Sequence, residues 1–142
     1  MSRRHPVPKI RKSHYEMLAR LRHALRRFLR FSAEAAREAG LPPQQHQALL
    51  AIKGAPGRDY VTVGELAEQL DLRHHSAVEL VDRLVRRRLV RRTPSRADRR
   101  RVEVTLTRRG ETLIRQLSAA HLVEFQQIGP ELRRLIDAMV DR

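Results

Sequence analysis

The sequence predicts a mainly α-helical fold carrying one small β-hairpin. Three observations predict it. Apolar residues recur at three- and four-residue intervals along most of the 142 positions. Only near residues 89–106 does the pattern change: Val102, Val104 and Leu106 alternate with Glu103 and Thr105, the period of a half-buried strand. Glycine and proline cluster between the periodic runs, at Gly40, at Gly54-Ala55-Pro56-Gly57 and at Gly129-Pro130.

Residues 1–11 hold Pro6 and Pro8 among basic residues and read as an arm, either a contact to DNA or a partner subunit, or a solvated tail. A long helix is expected from Lys12 to Ala39, with Leu18, Leu21, Leu25, Phe28, Ser32 and Ala35 at heptad-like spacing, widened by Tyr15 and Leu29. Pro42–Lys53 should form a short helix with Ala48, Leu49 and Ile52 inward, and Tyr60-Val61 a short third strand.

The centre of the chain is residues 62–107. Thr62 and Glu65 stand three apart, the spacing of a capping box, and the helix they open carries Val63, Leu66, Ala67 and Leu70 on one face. Asp71-Leu72 suits a turn. A second helix is expected over His74–Arg87, with Ala77, Val78, Val81, Leu84 and Val85 inward and His74, His75, Glu79, Asp82, Arg83 and Arg86 outward. A strand near Leu89–Thr93 follows, then a loop, Pro94 to Arg101, with four arginines and one aspartate. Helix, turn, helix and basic hairpin are the parts of a winged helix-turn-helix, a module that reads duplex DNA. Thr107 can then cap a helix to about Gln127, broken at Gly129-Pro130 and followed by a final amphipathic helix with Leu132, Leu135, Ile136, Met139 and Val140.

The segments VGELAEQL, SAVELVDRLVRRRLVRR, Asp98-Arg99-Arg100 and VEVTLTRRG, in that order and spacing, resemble the MarR family of bacterial transcription regulators. The resemblance implies a two-fold dimer held by N- and C-terminal helices, a repressor role, and release from DNA by a small anionic or phenolic ligand. It also implies that Arg100 is the minor-groove arginine of the wing, with Asp98 orienting it. The family usually has glycine at the position of Arg88. Arginine there must take a left-handed conformation at some cost or end the helix differently.

The expected organisation is therefore one domain, 1–142, with residues 41–107 the winged helix-turn-helix and 10–39 and 108–142 dimerisation helices. The two terminal stripes hold more apolar surface than one small winged helix buries, which a symmetric dimer would cover.

Charge placement points to a polyanion. The formal net charge is +14. Residues 1–30 hold ten Lys/Arg against Glu16 alone, net +9, and residues 73–101 hold eleven arginines against Glu79, Asp82 and Asp98, net +8. With few aromatics and no tryptophan, neither stacking on single strands nor a membrane anchor is favoured. No apolar run of about 18 residues and no signal peptide is present, so a cytoplasmic chain without membrane partner is expected. With no cysteine there is no disulfide, thiolate zinc site or cysteine-based peroxide sensor.

The expected DNA-binding residues are Arg73, His74, His75, Ser76, Glu79 and Arg83 on the second helix of the motif, and Arg96, Arg99 and Arg100 in the wing. An acid in a DNA-facing loop repels phosphate, so Asp98 is expected to hold a wing arginine. His74 and His75 read either as donors to bases or phosphates or as a solvated first turn. The resemblance implies that the helices carrying His46 and His121 can line a cavity, so these two read either as surface or packed histidines or as contacts to an effector or a metal. No nucleophile elbow, HExxH, Walker or GxGxxG pattern is present, so no catalysis, cofactor or metal is expected. The expected partners are double-stranded DNA with a pseudo-palindromic operator, a second copy of the chain, and a small-molecule effector. The alternative reading is a non-specific architectural DNA-binding protein.

Overall fold

The computed structural model describes residues 7–140. The described residues divide into two compact units, one comprising residues 7–31 together with 122–140, the other residues 32–121. Both boundaries fall inside long helices. The expected arm lies partly outside the described residues; within them, residues 7–11 are exposed and form no regular element.

Among the described residues five helices and three strands follow in order: α1 (Lys12–Glu38), α2 (Pro43–Lys53), β1 (Tyr60–Thr62), α3 (Val63–Gln69), α4 (His74–Arg86), β2 (Val90–Pro94), β3 (Val102–Leu106) and α5 (Arg108–Val140). The strands form one antiparallel sheet in the order β1-β3-β2. Val61 stands opposite Val104, and Val90 opposite Leu106.

The core of the 32–121 unit is built from Leu41, Leu49, Ile52, Leu66, Leu80, Val81, Leu84, Leu89, Val104, Ile114 and Leu117. Leu80 is buried although the expected inward face of α4 omitted it, while Val78 and Val85 are only half-buried. The α4 stripe is thus centred on Ala77, Leu80, Val81 and Leu84. In β3, Val104 is fully buried, but Val102 is exposed because it lies at the wing end of the strand.

Three helices end in the same way. The amide of Leu41 donates to the Ala36 carbonyl at 2.8 Å, that of Leu72 to Ala67 at 2.8 Å, and that of Leu89 to Leu84 at 3.0 Å. Each is the six-to-one bond of a Schellman motif, whose penultimate residue is left-handed. Those residues are Gly40 (φ 77°), Asp71 (φ 52°) and Arg88 (φ 58°). Of the two courses open to Arg88, the arginine therefore takes the left-handed one. The Thr107 hydroxyl donates to its carbonyl at 2.6 Å.

The expected break at Gly129-Pro130 does not occur. Helix α5 runs unbroken from Arg108 to Val140 with Pro130 inside it. Proline removes one amide donor and crowds one carbonyl, but its fixed φ is helical, so a long helix can carry it where the flanking turns hold. A separate final helix is thereby excluded.

In the other unit, Phe28 packs against Phe125 with ring centroids 4.5 Å apart. Leu21, Ala24 and Phe28 are half-buried. Tyr15, Leu18, Leu25 and Leu29 on α1 are exposed, as are Leu122, Val123, Phe125, Ile136 and Val140 on α5.

Candidate nucleic-acid interface

Helix α4 is placed from both ends. At its start, α3 is held by the capping box: the Glu65 amide donates to Thr62 Oγ1 at 3.2 Å, and the Thr62 amide to Glu65 Oε1 at 3.3 Å. The Arg58 guanidinium pairs with the same carboxylate. At its far end, the Arg87 guanidinium donates to Gln45 Oε1 at 3.0 Å and to the Gly40 carbonyl at 2.6 Å. With Ala77, Leu80, Val81 and Leu84 turned inward, helical geometry leaves His75, Glu79 and Arg83, four residues apart, on an exposed face, with His74 and Arg86 beside them. Ser76 is half-buried.

Arg73 is the N-cap of α4 and makes no side-chain cap hydrogen bond. The first-turn amides, at the positive end of the helix dipole, are therefore left to water or another external acceptor.

The wing loop is closed by its own hydrogen bonds. Ser95, only 8% exposed, accepts at Oγ from the amides of Ala97 and Asp98, both at 3.3 Å. The Ser95 amide donates to the Arg101 carbonyl and the Arg101 amide to the Asp98 carbonyl, each at 3.0 Å. Asp98 Oδ1 accepts from the Arg100 amide at 3.0 Å. The aspartate thus contacts the backbone of Arg100 and leaves its guanidinium outside. Arg96, Arg99 and Arg100 are all exposed.

An ion pair between Asp82 on α4 and Arg92 on β2 joins the helix to the wing. Sequence reasoning placed Asp82 outward but gave it no partner, and it missed Ser95 and Arg87. Ser95 and Asp98 stand three apart, as a hydroxyl-closed turn requires, so the signal for Ser95 was available.

His46 and His121 lie in the same unit, with ring centroids 5.0 Å apart. His46 is 4% exposed. His121 Nδ1 lies 2.6 Å from the Leu117 carbonyl, which can only accept, so this nitrogen donates. Nε2 lies 2.8 Å from Ser32 Oγ, a hydroxyl that can donate to it or accept from it. Burial first, then the charge of His121, hold His46 below its ordinary pKa. Among the described residues, no group of three or more His, Asp or Glu could hold a metal ion. No helix among them is long and apolar enough to cross a membrane.

Residues 39–101, from the end of α1 through the wing loop, match the family model for MarR proteins. The module is a MarR-family winged helix. The solved structure of AbsC, a MarR family transcriptional regulator from Streptomyces coelicolor, is similar to this chain with a TM-score of 0.72 and 18% identity, over 95% of this chain and 94% of that one. A mutant MarR from E. coli in complex with operator DNA is similar with a TM-score of 0.58 and 27% identity, over 82% of this chain and 77% of that one. A mutant of MepR from S. aureus bound to an oligodeoxyribonucleotide has a TM-score of 0.65 and 19% identity, over 88% and 97%. Among curated proteins none matches significantly. The match over this module agrees with a mainly helical fold, five helices and one three-stranded sheet among the described residues.

Proposed function

We propose that this MarR-family chain is a homodimeric, sequence-specific DNA-binding transcription regulator, and that it represses its target until a small anionic or phenolic ligand releases it. The observation that carries the DNA-binding part is the joined surface of α4 and wing. The exposed face with His75, Glu79 and Arg83 is tied through Asp82–Arg92 to a loop presenting Arg96, Arg99 and Arg100. In this reading α4 enters the major groove, where each base pair is distinguishable, with Arg73, His74, His75, Ser76, Glu79 and Arg83 at its edge. Arg100 enters the minor groove, and Arg96 and Arg99 touch phosphate. A relative at 27% identity, solved in complex with operator DNA, supports duplex DNA as the partner.

Dimerisation is supported by the exposed apolar side chains on α1 and α5, which a second copy would cover. A stable interface of this kind should bury more than about 2,000 Å² and be mainly apolar. Ligand release has the least structural support. His46 and His121 pack on each other, so an effector reaching them would have to part the rings, and it would act only through different affinities for the DNA-competent and incompetent dimers.

Selection of bound duplex from a random pool, followed by competition against random DNA at stated salt, tests the reading. A pseudo-palindromic consensus that outcompetes random duplex by about 10³-fold or more is expected. Enrichment of no consensus would leave the alternative, a non-specific architectural protein.

A further inference from the structure

We propose that the middle of α1 carries a second surface for the phosphate backbone of duplex DNA, separate from the winged helix. The proposal goes beyond the operator-reading function and does not depend on it, because the surface belongs to the other compact unit.

Between Glu16 and Glu34, α1 has five arginines and no acid. At 100° per residue, Arg20, His23, Arg26, Arg27 and Arg30 fall on one face. That face is distinct from the half-buried side with Leu21, Ala24 and Phe28, and from the exposed apolar side with Leu18, Leu25 and Leu29. All five basic side chains are exposed. Among the described residues, none of these arginines has a hydrogen bond or ion pair.

The arrangement opposes helix stability. Arg26 and Arg30 are four apart and Arg27 and Arg30 three apart, and like charges at these spacings repel by about 0.2–0.5 kcal/mol per pair. Chain segments elsewhere in the protein do offset charge: Lys53 with Glu111, Arg58 with Glu65 and Arg92 with Asp82. On α1 nothing among the described residues does. An external polyanion would relieve the repulsion.

Chemistry selects which polyanion. The cationic groups between Arg20 and Arg30 are arginine without lysine, and the guanidinium fork matches phosphate oxygens in pairs. Ten residues of helix rise about 15 Å, a length over which a duplex carries roughly nine phosphates. The basic face has no phenylalanine, tyrosine or tryptophan on which a run of unpaired bases could stack, so a duplex fits better than a single strand.

The test uses the full chain with Arg20, Arg26, Arg27 and Arg30 all replaced by glutamine, which retains helix propensity, and a random-sequence duplex of roughly 40 base pairs as probe. Affinity at about 100 mM salt should fall at least tenfold, and the log–log salt slope should flatten by about 3.6 units. Helical circular dichroism should be unchanged. The four-lysine variant should restore most of the slope, since it keeps the charge. Should the glutamine variant fold poorly, Arg27→Gln with Arg30→Gln should flatten the slope by about 2 units. An unchanged slope in the folded variants overturns the proposal. So does loss of binding to phosphatidylserine vesicles with duplex binding intact, which would make the face a membrane contact. In a chain with Arg96, Arg99 and Arg100 replaced by alanine, residual salt-dependent duplex binding is expected, and the α1 substitutions should remove it. Complete loss on changing the wing alone would overturn the second surface. Loss on changing α1 alone, with the wing variant unaffected, would instead overturn the winged-helix reading and leave this one standing.

Discussion

Asp82, midway along α4, pairs with Arg92 on β2, so the helix and the wing are joined by their side chains as well as by the chain between them. Both side chains are more than a third exposed, so the pair should add little to stability, under about 1 kcal/mol. Its effect should be seen in binding. Asp82→Asn is expected to shift the denaturation midpoint only slightly but to weaken duplex binding, although it removes a negative charge. Tighter binding by the variant at physiological salt would mean that the pair does not orient the wing.

Asp98 gives a related test with a different contact. Its carboxylate holds the Arg100 amide, and Ser95 closes the same loop. Arg100→Ala should cost roughly 1–3 kcal/mol of binding and flatten the salt slope by about one unit. Asp98→Ala should also weaken binding, because the freed loop must be reordered on DNA. Charge counting alone gives the opposite sign, so a titration against one duplex decides between them.

Gly110 lies at the start of α5, where a Cβ would stand 2.2 Å from the Leu89 carbonyl oxygen. The obstacle is backbone and cannot swing aside. Gly110→Ala should therefore destabilise the protein by about 1–3 kcal/mol, as overpacking does. Urea denaturation would measure it; an unchanged midpoint would show that α5 can shift without cost.

Arg88 is left-handed at φ 58°, a region that costs an L-residue about 1–2 kcal/mol. Arg88→Gly should remove this strain and lose part of the gain to the greater freedom of the unfolded chain, leaving roughly 0.5–1 kcal/mol of added stability. A lower melting temperature in the variant would mean that the Arg88 side chain makes a larger contribution than its exposure suggests.

His46 makes stability depend on pH. Burial, with the charge of His121 second, lowers its pKa from the ordinary value of 6.5. Between the lowered value and 6.5 the unfolded chain binds more protons than the folded one, so stability rises with pH. The contribution is fully present above about 6.5 and is lost as pH falls through the folded value. His46→Gln should flatten the dependence of the urea midpoint on pH across this window, and an unchanged slope would place its origin elsewhere.

Local patterns made much of the fold legible. The capping box at Thr62 and Glu65, the helical face of α4 and the alternation in β3 each lie within a few residues of chain. The run of α5 through Pro130 was not legible, because the same dipeptide can end a helix or sit inside one, and packing over the whole length decides. At the interface, residue types and periodicity identified His75, Glu79, Arg83 and the wing arginines as exposed. The supports of that surface were harder to see. Arg87 reaches Gln45 across 42 positions, and no local pattern records such a contact. Asp98 was expected to hold an arginine, but spacing alone does not distinguish a guanidinium from an amide as its donor.

The left-handed joints flanking α4 are Asp71 and Arg88, neither of them glycine. Side chains at such positions narrow the range of backbone angles available, where glycine would leave a pivot. Helix α4 is consequently mounted between two stiff corners. It should turn as a pointer fixed to its frame, unable to roll by itself to suit a poorly matched duplex. If α4 reads bases as proposed, a sequence mismatch would then have to be absorbed by bending the DNA or by tilting the entire frame, so the chain should tolerate few substitutions within its half-site.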